Sequence, residues 1–247
     1  MTRAVNTSIL EAPKSSDMSI YLHCIDLSDK LKCLNLCSTG TLSSLLTVQL
    51  SIDDKKPNPM HVDIEKLRNC RDEEINGLSS SRMLFVFQRS ILKTYKRPLT
   101  EDEEKQVRKG DLEIEFERAR RIYNPAAPSR LSCLYLVDND TPGWDSLGNM
   151  FRGVFKDPMI FEVSILNQLE LMRFDHNWVG LYYQDPQEKY LKSYWSGEMY
   201  DSKTPSWEYL LEGTIQLTDS EQKKEIDAYV ETNYPDEFES IIANRAN

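Results

Sequence analysis

The chain lacks the short motifs that announce the commonest enzyme classes. It has no glycine-rich phosphate loop, no G-x-G-x-x-G turn, no H-E-x-x-H and no G-x-S-x-G. Phosphoryl transfer on a P-loop and nucleotide binding on a Rossmann turn are therefore disfavoured. Histidine is scarce, with only His23, His61 and His176, and no local pattern pairs one of them with a cysteine. Positive charge is outnumbered: 30 Lys and Arg face 40 Asp and Glu, a net charge of −10. That argues against nonspecific binding to nucleic-acid phosphates, which needs basic patches, and suits a partner with a basic surface. No apolar run approaches the length of a membrane span, and Met1 to Asp17 holds no signal-type apolar core, so no membrane partner is expected.

The cysteines build no framework. Five of them (Cys24, Cys33, Cys37, Cys70 and Cys133) stand at irregular spacing, an odd count that disfavours disulfides and fits a reducing, cytoplasmic setting. The cluster His23, Cys24, Cys33, Cys37 matches none of the usual zinc spacings, so no metal is expected.

What is present is enough apolar sequence, 40% of 247 residues, to bury one large core. Residues 1–17 read as a loose arm, 18–218 as a single domain, and 219–247 as a helix followed by an acidic tail. Met18–Cys24 is a strand candidate, and Asp26–Cys37 a short helix or a turn and strand, ended by Gly40. A helical block is expected over 60–125. In it, Leu84, Phe87, Ile91 and Tyr95 share a helical face, and Thr100 with Glu103 forms a capping box. Asp111 then caps a further helix with the stripe Leu112, Phe116, Ala119, Tyr123 and a solvated arginine face at Arg118, Arg120 and Arg121. After Pro128 the reading turns to strands: Leu131–Asp138, Met159–Leu166, Trp178–Tyr183, Tyr190–Trp195 and the stretch from Pro205 running into Leu217. The order strand, helices, strands predicts an α+β fold with mostly antiparallel pairing.

The stretch Pro205 to Ile215 organises the functional reading. Alternation puts Trp207, Tyr209 and Leu211 on one face of a strand, and Glu208, Leu210 and Glu212 on the other. A histidine on the first strand, a tyrosine on a middle strand and a glutamate leading a late strand occur in that order. This arrangement resembles the ADP-ribosyltransferase-like fold, and within it a group of bacterial and phage domains. The matching residues are Tyr21-Leu22-His23, Pro128-Ser129-Arg130, Leu134 to Asp138, Phe161-Glu162-Val163, Tyr194-Trp195-Ser196-Gly197 and Glu208-Tyr209-Leu210-Leu211-Glu212-Gly213. Together they span 18–40 and about 115–218.

The resemblance implies a split antiparallel β core with a helical insertion, and NAD as cofactor. It implies Glu208 as the catalytic acid, His23 on the NAD ribose, Arg130 on the diphosphate, and Tyr135, Tyr194 or Trp195 stacked on nicotinamide. Cleavage of the nicotinamide–ribose bond builds positive charge on the sugar, as glycoside hydrolysis does, and a fixed carboxylate stabilises it. Glu162 and Glu198 are rival acids. Ser206 occupies the position of the second acid found in arginine-modifying members, which turns the expectation away from arginine and toward another protein or nucleic-acid acceptor. The alternative is an inactive, acidic interaction protein of a phage–host or toxin system that binds and blocks a partner. The plainer readings are a hydrogen-bonded structural His23, core aromatics at Tyr135 and Trp195, and an Arg130 that braces a strand.

Overall fold

Strand β5 (Trp207–Leu217) is paired on both edges, and the sheet is arranged around it. The computed structural model describes residues 19–45, 47–48, 82–151, 155–201 and 204–245. In chain order these form β1 (Ile20–Asp26), α1 (Lys30–Thr39), β2 (Thr41–Ser43), α2 (Met83–Leu92), α3 (Glu101–Tyr123), β3 (Leu134–Asp138), α4 (Thr141–Phe151), β4 (Pro158–Asp175), α5 (Asn177–Gln184), α6 (Glu188–Trp195), β5, α7 (Ser220–Asn233) and α8 (Pro235–Arg245). The expected arm at 1–17, Cys70, His61 and the stretch 60–81 of the helical block lie outside the described residues.

The sheet is antiparallel, as the α+β reading predicts, with the order β2-β5-β3-β1-β4 and a further β5–β4 pairing. β4 pairs with β1 along Pro158–Ser164 and with β5 along Val163–Asp175. Pairings β1–β3, β3–β5, β5–β4 and β4–β1 therefore close a circuit. Two register shifts put Leu166 and Leu169 on β4 as extra residues, both exposed. Such bulges bend a strand and increase its twist, which lets one 18-residue strand serve two partners.

The two faces of the sheet bury different sets. Ile25, Leu136, Phe161, Leu211 and Ile215 pack against Cys33, Leu36 and Cys37 of α1 and Ile226 and Val230 of α7. On the opposite face, Leu22, Cys24 and Val137 meet Leu147 and Phe151 of α4. Tyr135, Phe174 and Leu210 meet Phe116 of α3 and Tyr194 and Trp195 of α6 on that same face. The period-2 alternation of β1, β3 and β5 decides which residue goes where.

Local chemistry explains the helices. Thr100 Oγ1 accepts from the Glu103 amide at 3.3 Å, and Glu103 Oε2 accepts from the Thr100 amide at 2.8 Å, the predicted capping box. Four acids fill the first turn of α3, and Arg120 and Arg121 its last, as the helix dipole favours. The expected break at Gly110–Asp111 does not occur, and α3 runs through it. Gly110 marks a helix crossing instead: a Cβ there would lie 2.5 Å from Arg89 Cβ and from the Phe85 carbonyl oxygen of α2. Asp111 is no cap; it pairs with Arg89 and Lys93. Gly40 ends α1 with φ 70°, as its position suggested.

Other expectations are corrected. Trp178–Tyr183 and Tyr190–Trp195 are helical, in α5 and α6, because Leu191, Tyr194 and Trp195 fall at i, i+3 and i+4 and are buried together. The buried face of α2 is Met83, Phe85, Val86 and Leu92, while Ile91 and Tyr95 are exposed. The acidic tail forms α8, with Pro235 at its first position, where the missing N–H costs nothing. Arg120 is no solvated arginine but a buried one. Cys24, Cys33, Cys37 and Cys133 are free and buried, and burial pushes the Cys24 and Cys33 thiols up to about 12, so they behave as small hydrophobes. Among the described residues, no helix is long and apolar enough to cross a membrane, and no metal-binding group of acids, histidines or cysteines is present.

Candidate functional site

Glu208, the second residue of β5, is buried on the face that carries α3, α5 and α6. One of its oxygens, Oε1, accepts from Arg130 Nη1 and from the Tyr194 hydroxyl. The other, Oε2, faces His176 Nδ1 at 3.0 Å and Arg82 Nη2 at 3.5 Å. Arg130 in turn holds Glu113 in a two-point contact, Nε to Oε2 at 2.9 Å and Nη2 to Oε1 at 3.1 Å. Arg82 Nη1 reaches the same carboxylate at 3.2 Å. Two guanidinium groups thus offset two carboxylates in a water-poor site, the pairing that buried charge requires. Phe116, Tyr135 and Tyr194 present rings within 4.6–5.4 Å of these guanidinium carbons.

The Pro128-Ser129-Arg130 segment explains how the network is aimed. Ser129 Oγ donates to Glu117 at 2.8 Å, and Arg130 engages Glu113 one helical turn earlier on α3. Arg120 braces the same segment, pairing with Glu117 and donating to the carbonyls of Pro125 and Ala127. Two acids four residues apart on α3 therefore dock two consecutive residues of the loop entering β3.

The protonation pattern follows. Burial alone would raise the Glu208 carboxyl, but Arg130, with His176 and Arg82, outweighs it and holds the group well below the usual carboxylate range. An ionised carboxylate only accepts, so the hydrogen between the two side chains sits on His176 Nδ1. The other ring nitrogen, Nε2, has no hydrogen-bond partner among the described residues. Asp175 fixes the backbone on either side of His176. It is fully buried, and its carboxylate accepts from the amides of Asn177, Ser206 and Tyr200 at 3.0–3.1 Å. The His176 amide donates to Ser206 O at 2.7 Å. The lead-in to β5 and the turn after β4 are locked together, with His176 at the join.

A cleft of about 270 Å³ opens beside this join. Its walls include Arg82, Lys109, Glu113, His176, Gly180 and Tyr183. The buried network is thus connected to solvent through His176, whose side chain is 25% exposed.

The sequence-predicted site residues are only partly gathered here. Arg130, Tyr194 and Glu208 are in direct contact, and Tyr135 lies beside them, donating its hydroxyl to Arg130 O at 3.2 Å. Trp195 packs in the same core with its Nε1 on Phe116 O. All five are buried. His23 is not part of the group. It stands opposite Phe161 in the β1–β4 register, on the face toward α1 and α7, so the sheet separates it from Glu208. Its Nδ1 meets Tyr135 O at 2.7 Å, and burial lowers its pKa to about 4. The expected grouping of His23, Tyr135 and Glu208 in one cleft is corrected: alternation along β1 turns His23 the other way. Of the rival acids, Glu162 is half-buried and Glu198 exposed, and neither contacts the network.

His176, Arg82 and Glu113 were not singled out from the sequence. A longer reading of β4 would have found His176, since Asp175-His176-Asn177 is where that strand meets an aromatic-rich helix. Glu113 and Glu117, flanking the apolar stripe of α3, carried the other signal.

A family model described as a protein of unknown function, DUF2441, matches residues 60–228. The chain belongs to this family. No curated protein matches the chain. The DUF2441 match spans the whole charge network and the cleft, from Arg82 to Glu208, and leaves out β1 with His23.

Proposed function

We propose that this DUF2441 chain is an enzyme whose His176–Glu208 pair does acid–base work on a ligand held in the adjoining cleft. One observation carries the reading: an ionised, buried Glu208 holds Nδ1 of a histidine that lines a cleft and leaves its Nε2 unpartnered. A carboxylate that fixes a histidine's tautomer and stabilises its protonated form is a recurrent arrangement for a general base.

NAD is the first substrate to test. The resemblance to ADP-ribosyltransferases suggests it through Glu208 at the head of an antiparallel strand, while His23, behind the sheet, takes no part. The division of labour differs from the expected one. Glu208 acts through His176, and Arg82 and Lys109 take the anionic part of the ligand. In the transfer, the ribose–nicotinamide bond breaks and neutral nicotinamide leaves with the bonding pair. The acceptor oxygen or nitrogen attacks the ribose carbon, and its proton passes to His176 Nε2. The acceptor is a protein, a nucleic acid or water.

Nicotinamide release from NAD by the purified chain tests this, with His176→Gln beside it. Release that is lost in the variant supports the reading; release at an unchanged rate sinks the role of His176. A second reading, the inactive interaction protein, is favoured by one observation: both Glu208 oxygens are already engaged within the protein. It predicts neither release nor any shift of Tm with NAD.

A further inference from the structure

One wall of the cleft carries a glycine that the fold does not require. Gly180 lies in the middle of α5, and its φ is not positive. A Cβ placed there would meet nothing within 4 Å. Glycine inside a helix is about 1 kcal/mol worse than alanine; close neighbours explain Gly110 and Gly143, while Gly148 in α4, like Gly180, has none. Gly180 is an exposed residue of the cleft wall, and its missing side chain leaves that wall open.

A second observation concerns charge. Lys109 lines the same cleft, half-buried, with its Nζ 5.4 Å from the centre of the Phe85 ring. No carboxylate pairs with it among the described residues, although the chain carries an excess of acids. Burial, and then the neighbouring Arg82, lower its proton affinity. The single carboxylate in the wall, Glu113, is taken by Arg130 and Arg82.

Third, the cleft continues. A hollow of about 150 Å³ adjoins it, sharing Leu112 and Tyr183 and adding Arg108, Tyr182 and Pro186. Its acids are offset, Asp111 by Arg89 and Lys93, and Glu115 by Arg118. The two hollows form one groove between α3 and α5. Together they reach the lower end of the roughly 300–1,000 Å³ typical of ligand sites. Arg82 and Lys109 lie in the larger hollow, Tyr182 and Arg108 in the smaller, and Tyr183 in both.

We propose that this groove binds a small ligand with a phosphate and a planar ring, of the size of a nucleoside monophosphate. The phosphate sits on Lys109 and Arg82, and the ring lies over Gly180 against Tyr183, toward Tyr182. An arginine and an aromatic ring suit these two parts for separate reasons, charge-assisted hydrogen bonding and stacking. The inference rests on the cleft being the ligand site, and it adds the ligand class and its direction.

Isothermal titration of the full chain with AMP, adenosine and inorganic phosphate tests it. AMP is expected to bind at least about ten-fold tighter than either fragment, since it alone fills both ends. Lys109→Met is expected to weaken AMP about ten-fold, the loss of one charge-assisted contact. Gly180→Leu is expected to abolish AMP binding while its Tm stays at or above that of the unmodified chain, which separates blockage from unfolding. Adenosine binding as well as AMP, Gly180→Leu binding AMP normally, or no AMP binding at all would each overturn the proposal. AMP binding in the expected pattern, beside NAD turnover untouched by His176→Gln, would instead sink the acid–base reading and leave this one standing.

Discussion

Glu208 Oε2 lies 3.0 Å from His176 Nδ1, while Oε1 of the same carboxylate is held by Arg130 and Tyr194. One side chain thus orients a cleft histidine and neutralises a fully buried arginine. Removing its charge must affect both. Glu208→Gln leaves Arg130 with Glu113 as its remaining ionised partner, and breaking a buried pair costs roughly 3–5 kcal/mol. In a chain of this size that corresponds to a fall in Tm of about 6–20 °C. Thermal melts check it. A variant that melts like the unmodified protein would show that Glu208 is not needed to balance Arg130, and a catalytic test with Glu208→Gln would then be free of a folding artefact.

His23 makes a pH prediction with a definite sign. Its folded pKa is lowered from 6.5 to about 4, chiefly by burial, with Lys32 adding to it and the Tyr135 carbonyl opposing it. Between these values the unfolded chain binds a proton that the folded chain refuses. Stability is therefore full above 6.5 and declines as pH falls toward 4, by at most about 3 kcal/mol. Urea unfolding at pH 7 and pH 4.5 should show a larger decline for the unmodified chain than for His23→Asn. Equal declines would mean that the ring is protonated in the fold.

Much of this fold was legible because it rests on short-range rules. The Thr100–Glu103 capping box, the Gly40 terminus and the two faces of β5 need only neighbours in sequence. What failed needed long-range knowledge. The runs Trp178–Tyr183 and Tyr190–Trp195 are too short and aromatic for their period to separate helix from strand, and packing onto α3 decided it. Glu208 and Arg130 were rightly singled out, yet their pairing with each other was not foreseen, because 78 residues separate them. His23 was misplaced for a narrower reason. Sequence order alone cannot say whether residues on two strands share a face, and the β1–β3 and β3–β5 registers put them on opposite ones.

Gly110 and Gly180 should respond oppositely to alanine. At Gly110 a methyl group meets Arg89 Cβ and the Phe85 carbonyl at 2.5 Å, and backbone there cannot yield without parting α2 from α3. A loss of about 1–3 kcal/mol is expected. At Gly180 the methyl meets nothing, so helix propensity acts alone and a gain of about 1 kcal/mol is expected. Denaturant midpoints of the two variants check both signs. A destabilised Gly180→Ala would show that α5 needs this glycine for the fold itself, and its place on the cleft wall would lose its significance.

Glu212 stands four residues after Glu208 on the same face of β5, yet its environment is the reverse. It is buried, its Oε1 accepts from Ser132 at 3.0 Å, and its Oε2 has no partner among the described residues. Arg120 acts on it electrostatically, but by less than its burial does. Burial raises its pKa, and the hydroxyls of Ser44 and Ser132 only partly oppose this. A raised folded value means that its contribution to stability is full below the unfolded carboxylate pKa and is lost as pH rises through the folded one. Glu212→Gln keeps an acceptor for Ser132 and removes the titration, so the variant should gain stability relative to the unmodified chain as pH goes from 4 to 8. A difference that stays constant over that range would show that Glu212 is ionised in the fold, with a counter-charge supplied from elsewhere in the chain.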